Sequence, residues 1–345
     1  MAAQAHTPAN PKDEWLAQVV EEPLKPDLPI IDPHHHLWDN PASRYLLDEV
    51  LGDTGSGHRV VATVFVECTS MYRADGPAAM RPVGETEFVN GIAAQSASGN
   101  YGPTRIAAGI VSFADLTLGA AVEPVLHAHI AAAPQRFRGI RHAAGFDPSP
   151  DVRNSHTNPP ADLYDLKSFR EGVAKLTELK LSFEAWQYHP QLPQVTRLAQ
   201  AFPATTIILN HCGGIIGIGP YEGKRAEIFQ QWKVDIAELA KCNNVVVKLG
   251  GINMPLNGFG WHRRAKPPTS DELVAATRDY YLHLIDRFGP SRCMFESNFP
   301  VDRTSCSYLV LWNAFKKIAA PFSADEQAWM FHRTAATAYR LPEYA

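Results

Sequence analysis

A chain of 345 residues, 45% hydrophobic and 20% charged, has the material for a large core and is too apolar for a disordered or fibrous protein. Thirty-two Lys and Arg against 36 Asp and Glu leave a net charge of −4, which removes the basic field that nucleic acid or an anionic lipid surface requires. Five cysteines, Cys68, Cys212, Cys242, Cys293 and Cys306, are odd in number and form no C-x-x-C pair, so they read as reduced thiols of a cytoplasmic protein.

Residues 1–28 lack the basic start and apolar run of a secretory signal and are expected to form a flexible leader. Residues 29–345 are expected to form one domain. Short β-branched runs at 29–36, 60–68, 105–112, 137–142, 180–186, 205–211, 244–250 and 292–298 predict eight strands. Helical periodicity between and after them predicts helices near 84–98, 119–133, 167–178, 192–202, 224–242, 270–288, 305–319 and 323–339, with Ser270 and Ser323 at capped starts. Strand starts 25 to 48 residues apart leave room for a crossover helix and a parallel return. The fold class is therefore α/β: a (β/α)8 TIM barrel, with a doubly wound open sheet as the competitor. Long loops at 146–166 and 251–269 become insertions on its C-terminal rim. No stretch of about 18 uninterrupted apolar residues occurs, so no membrane span is predicted.

Ionisable residues fall at the last positions of otherwise apolar strands. The first ends Asp32-Pro33-His34-His35-His36, the second in Glu67, and the fourth in Arg141-His142. The fifth closes at Glu184, the sixth at Asn210-His211, the seventh at Lys248 and the eighth at Glu296-Ser297-Asn298. A buried strand has no packing reason for such residues, because an unpaired buried charge costs several kcal/mol, on the order of 3–5. They predict a ring of chemistry at one barrel mouth; salt bridges plugging the barrel end are the plain alternative. Alternation puts Asp32, His34 and His36 on one face and His35 on the other. His34 and His36, joined by His211, form a candidate three-nitrogen site for a divalent metal, zinc first, with an open fourth position. Glu184, Glu296 and Glu67 are the candidate proton acceptors, Glu184 foremost because it lies nearest the rim. Arg141 and Lys248 could anchor a substrate carboxylate or a developing oxyanion, or merely neutralise inward glutamates. His189 and His262, on loops beside Tyr188 and Trp261, are further substrate-binding candidates. Cys212 points away from the mouth by alternation and is set aside as a nucleophile. Signatures of phosphate loops, dinucleotide folds, serine hydrolases and helical zinc proteases are absent from the sequence.

The segments Asp32-Pro33-His34-His35-His36-Leu37-Trp38-Asp39, Ile208-Leu209-Asn210-His211-Cys212-Gly213-Gly214 and Met294-Phe295-Glu296-Ser297-Asn298-Phe299-Pro300 resemble the signatures of the amidohydrolase superfamily. More narrowly they resemble its amidohydrolase-related branch, with the sugar-acid lactonases, sulfomuconolactone hydrolase and 2-pyrone-4,6-dicarboxylate lactonase, over residues 30–341. The resemblance implies a distorted TIM barrel and water attack on a lactone, ester or amide. It also implies a divalent metal in some members and metal-independent catalysis in others. One position departs from it: where the family carries an aspartate as ligand and base, this chain has Asn298, an amide that cannot take a proton near pH 7.

The expected function is thus a hydrolase opening a lactone or cyclic ester of a small carboxylated metabolite, with Asn298 positioning water or substrate. Nonoxidative decarboxylation on the same scaffold is the second reading, and a non-catalytic binding or assembly subunit the third. The expected partners are a small-molecule substrate and, through self-association of the barrel, a homo-oligomer.

Overall fold

A strand covered on both faces needs apolar residues at every position, and Val60–Val66, VVATVFV, is such a run. Eight of these runs pair in parallel, each with the next in sequence: β1 Ile30–His35, β2 Val60–Val66, β3 Arg105–Ser112, β4 Phe137–Arg141, β5 Ser182–Ala185, β6 Ile207–Leu209, β7 Val245–Leu249 and β8 Cys293–Phe295. The computed structural model describes residues 12–41, 43–341 and 344. Helices between the strands cover the outside, as in Lys167–Glu178, which buries Phe169, Gly172, Val173 and Leu176 on one stripe. The result is a (β/α)8 TIM barrel, nearly closed. Among the described residues no helix is long and apolar enough to cross a membrane.

The predicted helix starts are close. Ser323 caps its helix as expected, its N–H donating to Glu326 Oε2 at 2.8 Å. The cap predicted at Ser270 belongs to Thr269, whose hydroxyl accepts from Glu272 N at 3.3 Å. Every strand but β3 stops one to three residues short of its predicted end. β6 finishes at Leu209 because residues 211–214 form a tight turn with positive φ at His211, Cys212, Gly213 and Gly214. β8 finishes at Phe295; Glu296 N still donates to Leu249 O of β7 at 3.2 Å, and the residues after it turn to meet β1.

That meeting is the seam of the barrel. Asn298 N donates to His34 O at 3.0 Å and His36 N to Phe299 O at 2.8 Å, so the ring closes only at the C-terminal rim. Below these bonds Asp32 does the joining: its carboxylate accepts from Ser297 N (2.9 Å), Ser297 Oγ and Tyr308 OH (3.0 Å). Burial pushes this carboxyl up to about 6, against the hydrogen bonds of Ser297 and Tyr308 that pull it down.

The opposite end is closed by the chain's last described turn. Tyr339, fully buried, sends its hydroxyl up to Glu184 Oε1, and Arg138 fixes the turn by donating to Tyr339 O at 2.6 Å. Residues 12–28, the second half of the expected unpacked leader, are tied to the barrel. Glu21 accepts from Ser270 N (2.7 Å) and Asn313 Nδ2 (2.9 Å), and Trp15 Nε1 donates to Arg264 O at 3.0 Å. Polar side chains rather than apolar periodicity hold this segment, which is why the sequence pattern gave no sign of it. Residues 1–11 lie outside the described set.

The seam gives a stability prediction. Asp32→Ala removes the acceptor of four buried donors, of which Ser297 Oγ alone keeps a second one in His34 O, and is expected to lower unfolding free energy by about 3–5 kcal/mol, measured by urea denaturation. A loss under about 1 kcal/mol would show that Ser297 and Tyr308 find other partners.

Candidate active site

The C-terminal ends of the strands bring the predicted ring together inside the rim. His34 and His36 project from β1 and its extension, their ring centroids 4.9 Å apart, and His211 lies 4.6 Å from His34 on the other side. All three rings are nearly inaccessible. His35 faces outward as alternation requires, with Nε2 2.9 Å from Thr63 Oγ1. Cys212 also turns away, its Sγ near Lys248 O and Gly250 O.

Glu296 organises the histidines. Its Oε2 lies 2.7 Å from His34 Nδ1, and its Oε1 lies 2.8 Å from His211 Nδ1 while accepting from His211 N at 3.1 Å. The other edge of His34 faces Arg141, whose Nη1 is 3.3 Å from Nε2. A guanidinium can only donate, so His34 Nε2 carries the lone pair; Glu296 Oε2 is near Nδ1 but makes no hydrogen bond with it. Lys248 Nζ, 3.1 Å from the same Nδ1, has a closer acceptor in Glu184 Oε2 at 2.7 Å. His36 Nδ1 is 2.8 Å from Val66 O, a backbone acceptor, which leaves its Nε2 as a lone pair too. Burial drives all three imidazoles toward the neutral form, with Lys248 adding to the effect at His34 and Arg141 at His36 and His211. Burial pushes Glu296 up to about 8; Lys248 opposes the rise and Glu184 adds to it.

The close approach at His211 depends on a glycine. A Cβ on Gly251, at φ +62°, would stand 1.9 Å from His211 Nδ1. Only glycine lets the loop after β7 wall off this edge of the ring.

The two cations are not free. Arg141 donates from Nε to Glu67 Oε1 at 2.7 Å and from Nη2 to the Glu67 carbonyl. Glu67 takes its second contact from His156 Nε2 at 3.2 Å. Burial alone would raise Glu67, but Arg141 and His156 outweigh it and hold the carboxyl at about 2. Lys248 is bound to Glu184, whose oxygens also accept from Asn210 Nδ2 and Tyr339 OH. Glu184, first among the expected proton acceptors, therefore has both oxygens occupied at zero exposure. Its role is that of a counter-ion for Lys248.

The remaining predicted residues divide. Asn298 sits at the mouth, but its φ of +57° breaks the alternation that would have set it parallel to Glu296. Its Nδ2 donates to Asp302 Oδ1 at 3.0 Å. His189 Nδ1 accepts from Ile216 N at 3.3 Å, and its ring meets Tyr221 beside a surface cavity of about 660 Å³ that also includes Asp147 and Lys224. His262 lies on a 3-10 turn at the outer loop, accepting from Arg263 Nε at 3.3 Å and, through its carbonyl, from Lys12. Neither ring is among those gathered on Glu296.

Several members of the centre had no signal in the sequence. His156, on the loop after β4, looks like a bystander until the fold lays it on Glu67. Tyr339 comes from a C-terminal helix. Asn210 could have been found, because it shares the face of Ile208 in β6 and precedes His211. Trp186 packs edge-on against His211 at 4.6 Å and Trp38 stacks over His36 at 6.0 Å, giving the imidazoles apolar walls.

The donor chemistry fits a divalent metal. Among the described residues His34, His211 and Glu296 each offer an atom, all within 4.8 Å of one another. The group holds Glu296 where His36 was expected beside His34 and His211; His36 rests its Nδ1 on Val66 O and keeps the lone pair of Nε2. With three carboxylates against Arg141 and Lys248, the ionised centre has one negative charge in excess, which favours a cation.

The internal pairing can be tested without any substrate. Lys248→Met strands Glu184 as a buried charge and is expected to cost about 3–5 kcal/mol in denaturant unfolding. Adding Glu184→Gln should return most of that loss; an additive double variant would show that the two residues act separately.

Comparison with known proteins agrees with the barrel fold. The amidohydrolase family profile matches residues 31–341. The protein y4mH of Sinorhizobium fredii is 31% identical over 337 residues, covering 91% of this chain and 99% of its own length. The L-fucono-1,5-lactonase of Burkholderia multivorans is 26% identical over 327 residues, covering 91% and 97%. Crystal structures of an amidohydrolase from Burkholderia multivorans, one with bound HEPES and one with bound zinc, superpose with TM-scores of 0.69 at 25% and 24% identity; both cover 90% of this chain and 99% of their own. The chain belongs to the amidohydrolase family and is an enzyme of amidohydrolase type.

Proposed function

We propose that this hydrolase opens a lactone by water attack, and that the carboxylate of Glu296, lying on the Nδ1 atoms of both His34 and His211 at 2.7 and 2.8 Å, carries the acid–base work. The arrangement supplies what Asn298 cannot. His211 leans on the carboxylate through Nδ1–H and keeps Nε2 as a base, while His34 lies beside the second carboxylate oxygen. His211 Nε2 takes a proton from water as its oxygen bonds the lactone carbonyl carbon, and Glu296 stabilises the resulting imidazolium. Arg141 Nη1, which has an N–H beyond the one facing His34, donates to the oxygen that gains charge. When the intermediate collapses, the ring C–O bond breaks and the leaving alkoxide receives the proton from His211, giving a hydroxy acid. Trp38 and Trp186 keep bulk water off the rings, which strengthens each of these interactions. A divalent ion, with zinc the first choice from the zinc-bound relative, would be held by His34, His211 and Glu296 and would supply Lewis acidity to the carbonyl or acidity to water.

The pairing of Arg141 with Glu67 and of Lys248 with Glu184 also narrows the substrate. A carboxylate entering the site would have to displace a glutamate already held at 2.7 Å. A neutral lactone avoids that competition, and the carboxylated metabolite expected from the sequence is replaced by it. The likeness to an L-fucono-1,5-lactonase supports a neutral sugar lactone.

The test is turnover of a lactone panel by wild type and Glu296→Gln, each with and without chelator, beside elemental analysis. The variant is expected to lose about 10²- to 10⁴-fold in kcat. Full activity in the variant would overturn the assignment of Glu296. Turnover untouched by chelator would remove the metal and leave the imidazole–carboxylate pair. A lactone-inactive enzyme that releases CO2 from a carboxylated aromatic would replace lactonase by decarboxylase.

A further inference from the structure

The N-terminal end of the barrel, opposite the histidines, carries a charge imbalance that the acid–base centre does not use. Residues 89–109, 133–140 and 334–341 supply four arginines to this end, Arg105, Arg136, Arg138 and Arg340, and contain no aspartate or glutamate. Arg105 opens β3 and Arg136 directly precedes β4, its neighbour in the sheet. Both arginines line one cavity of about 180 Å³, together with Ala93, Ala97, Gln135 and Tyr344. No acidic residue lines it.

Neutral acceptors orient these side chains without discharging them. Arg105 Nη1 donates to the carbonyls of Gly102 and Pro103 at 3.1 and 3.2 Å. Arg136 Nη1 donates at 2.7 Å to Asn90 Oδ1, and Asn90 is itself fixed by donating to Ala132 O at 3.0 Å. Among the described residues, Nε and Nη2 of both arginines make no hydrogen bond, and neither guanidinium has a carboxylate partner. The plain account is that they serve the C-termini of the helices Val83–Ala97 and Glu123–Ala132, which end beside them. Two such ends present roughly half a negative charge each, which offsets about one of the two positive charges and leaves the cavity cationic.

We propose that this cavity is a binding site for a small oxyanion, a phosphate group, clasped between Arg105 and Arg136. A guanidinium presents its N–H groups as a planar fork that matches two oxygens of a phosphate or carboxylate. Two forks with free edges on one cavity suit a tetrahedral dianion better than a single carboxylate. The site is separate from the acid–base centre, because β3 has eight residues, roughly 26 Å at about 3.3 Å each, and the histidines lie at its far end. It does not depend on the lactonase reading. Gln135 O accepts from Arg138 Nη2 at 2.6 Å, and Arg138 holds the floor turn through Tyr339 O. An anion bound here sits on the segment that carries this clamp, and its binding free energy adds to the stability of the barrel.

The experiment is calorimetric titration of the full chain, as purified, with inorganic phosphate, glycerol 3-phosphate and acetate. Wild type is expected to bind phosphate with a dissociation constant below about 1 mM at low salt, more weakly in about 0.2 M sodium chloride, and to prefer it to acetate by at least about tenfold. Arg105→Gln and Arg136→Gln leave the acid–base residues untouched. Each should weaken phosphate by at least about tenfold, or about 1.4 kcal/mol, and reduce the rise in melting temperature that phosphate gives to wild type. Tighter binding of glycerol 3-phosphate supports a site for a phosphorylated metabolite, and tighter binding of the free ion a site for phosphate itself. No phosphate bound by wild type, or equal binding by wild type and both variants, overturns the site. Glu343 lies outside the described residues and is the nearest acid in sequence to Arg340, so Glu343→Gln is titrated too. Phosphate binding confined to that variant overturns the proposal, because the chain's own carboxylate would then be the occupant.

Discussion

The interior of this barrel is governed by the cost of burying charge. Glu67, Glu184, Glu296, Arg141 and Lys248 all lie at 5% exposure or less, where an ion without a partner is strongly destabilising. Each is met by an opposite charge or by oriented N–H and O–H groups. The pairs divide the work by depth. Glu184 and Lys248, with Tyr339 and Asn210 on the carboxylate, fill the lower layer. Glu67 and Arg141 form one wall. Glu296 is shared between two neutral imidazoles, and its burden of charge is the least fully matched. Within one network, residues saturated by partners hold the shape, and the imidazoles keep a spare lone pair.

Backbone turns, as much as strands, aim the reactive groups. His211 and Asn298 both adopt positive φ, and both leave the alternation of the strand that precedes them. His211 thereby reaches Glu296 through both its ring and its own N–H. Asn298 turns its amide toward Asp302 while its backbone closes the seam with His34. The same few residues complete the cylinder and form the mouth, so loss of the seam and loss of the site are physically linked.

Much of this was legible in the residues alone. Eight apolar runs at crossover spacing gave the barrel, and polar residues confined to strand ends gave the mouth, because both follow from local patterns that a buried parallel sheet imposes. The period of two placed His34 and His36 together and turned His35 away. It failed at His211 and Asn298, where left-handed backbone replaces extended backbone. It also could not tell which glutamate serves the lysine and which the histidines: Glu184 and Glu296 both end apolar strands, and only Tyr339, Asn210 and Lys248 arriving on Glu184 distinguish them. Those partners come from three distant segments. His156 and Asp302 escaped for the same reason, since a long-range contact leaves no periodicity behind.

The closing of the barrel floor by Tyr339 has a temporal meaning. Glu184 receives its last hydrogen bond from a residue 155 positions further along the chain. Chains emerge from the ribosome N-terminal end first. The half-finished cylinder must therefore hold a buried carboxylate and lysine over an open base until the helix that carries Tyr339 is made. A nascent chain arrested before that helix would display an unsealed, wet interior to the chaperones around it.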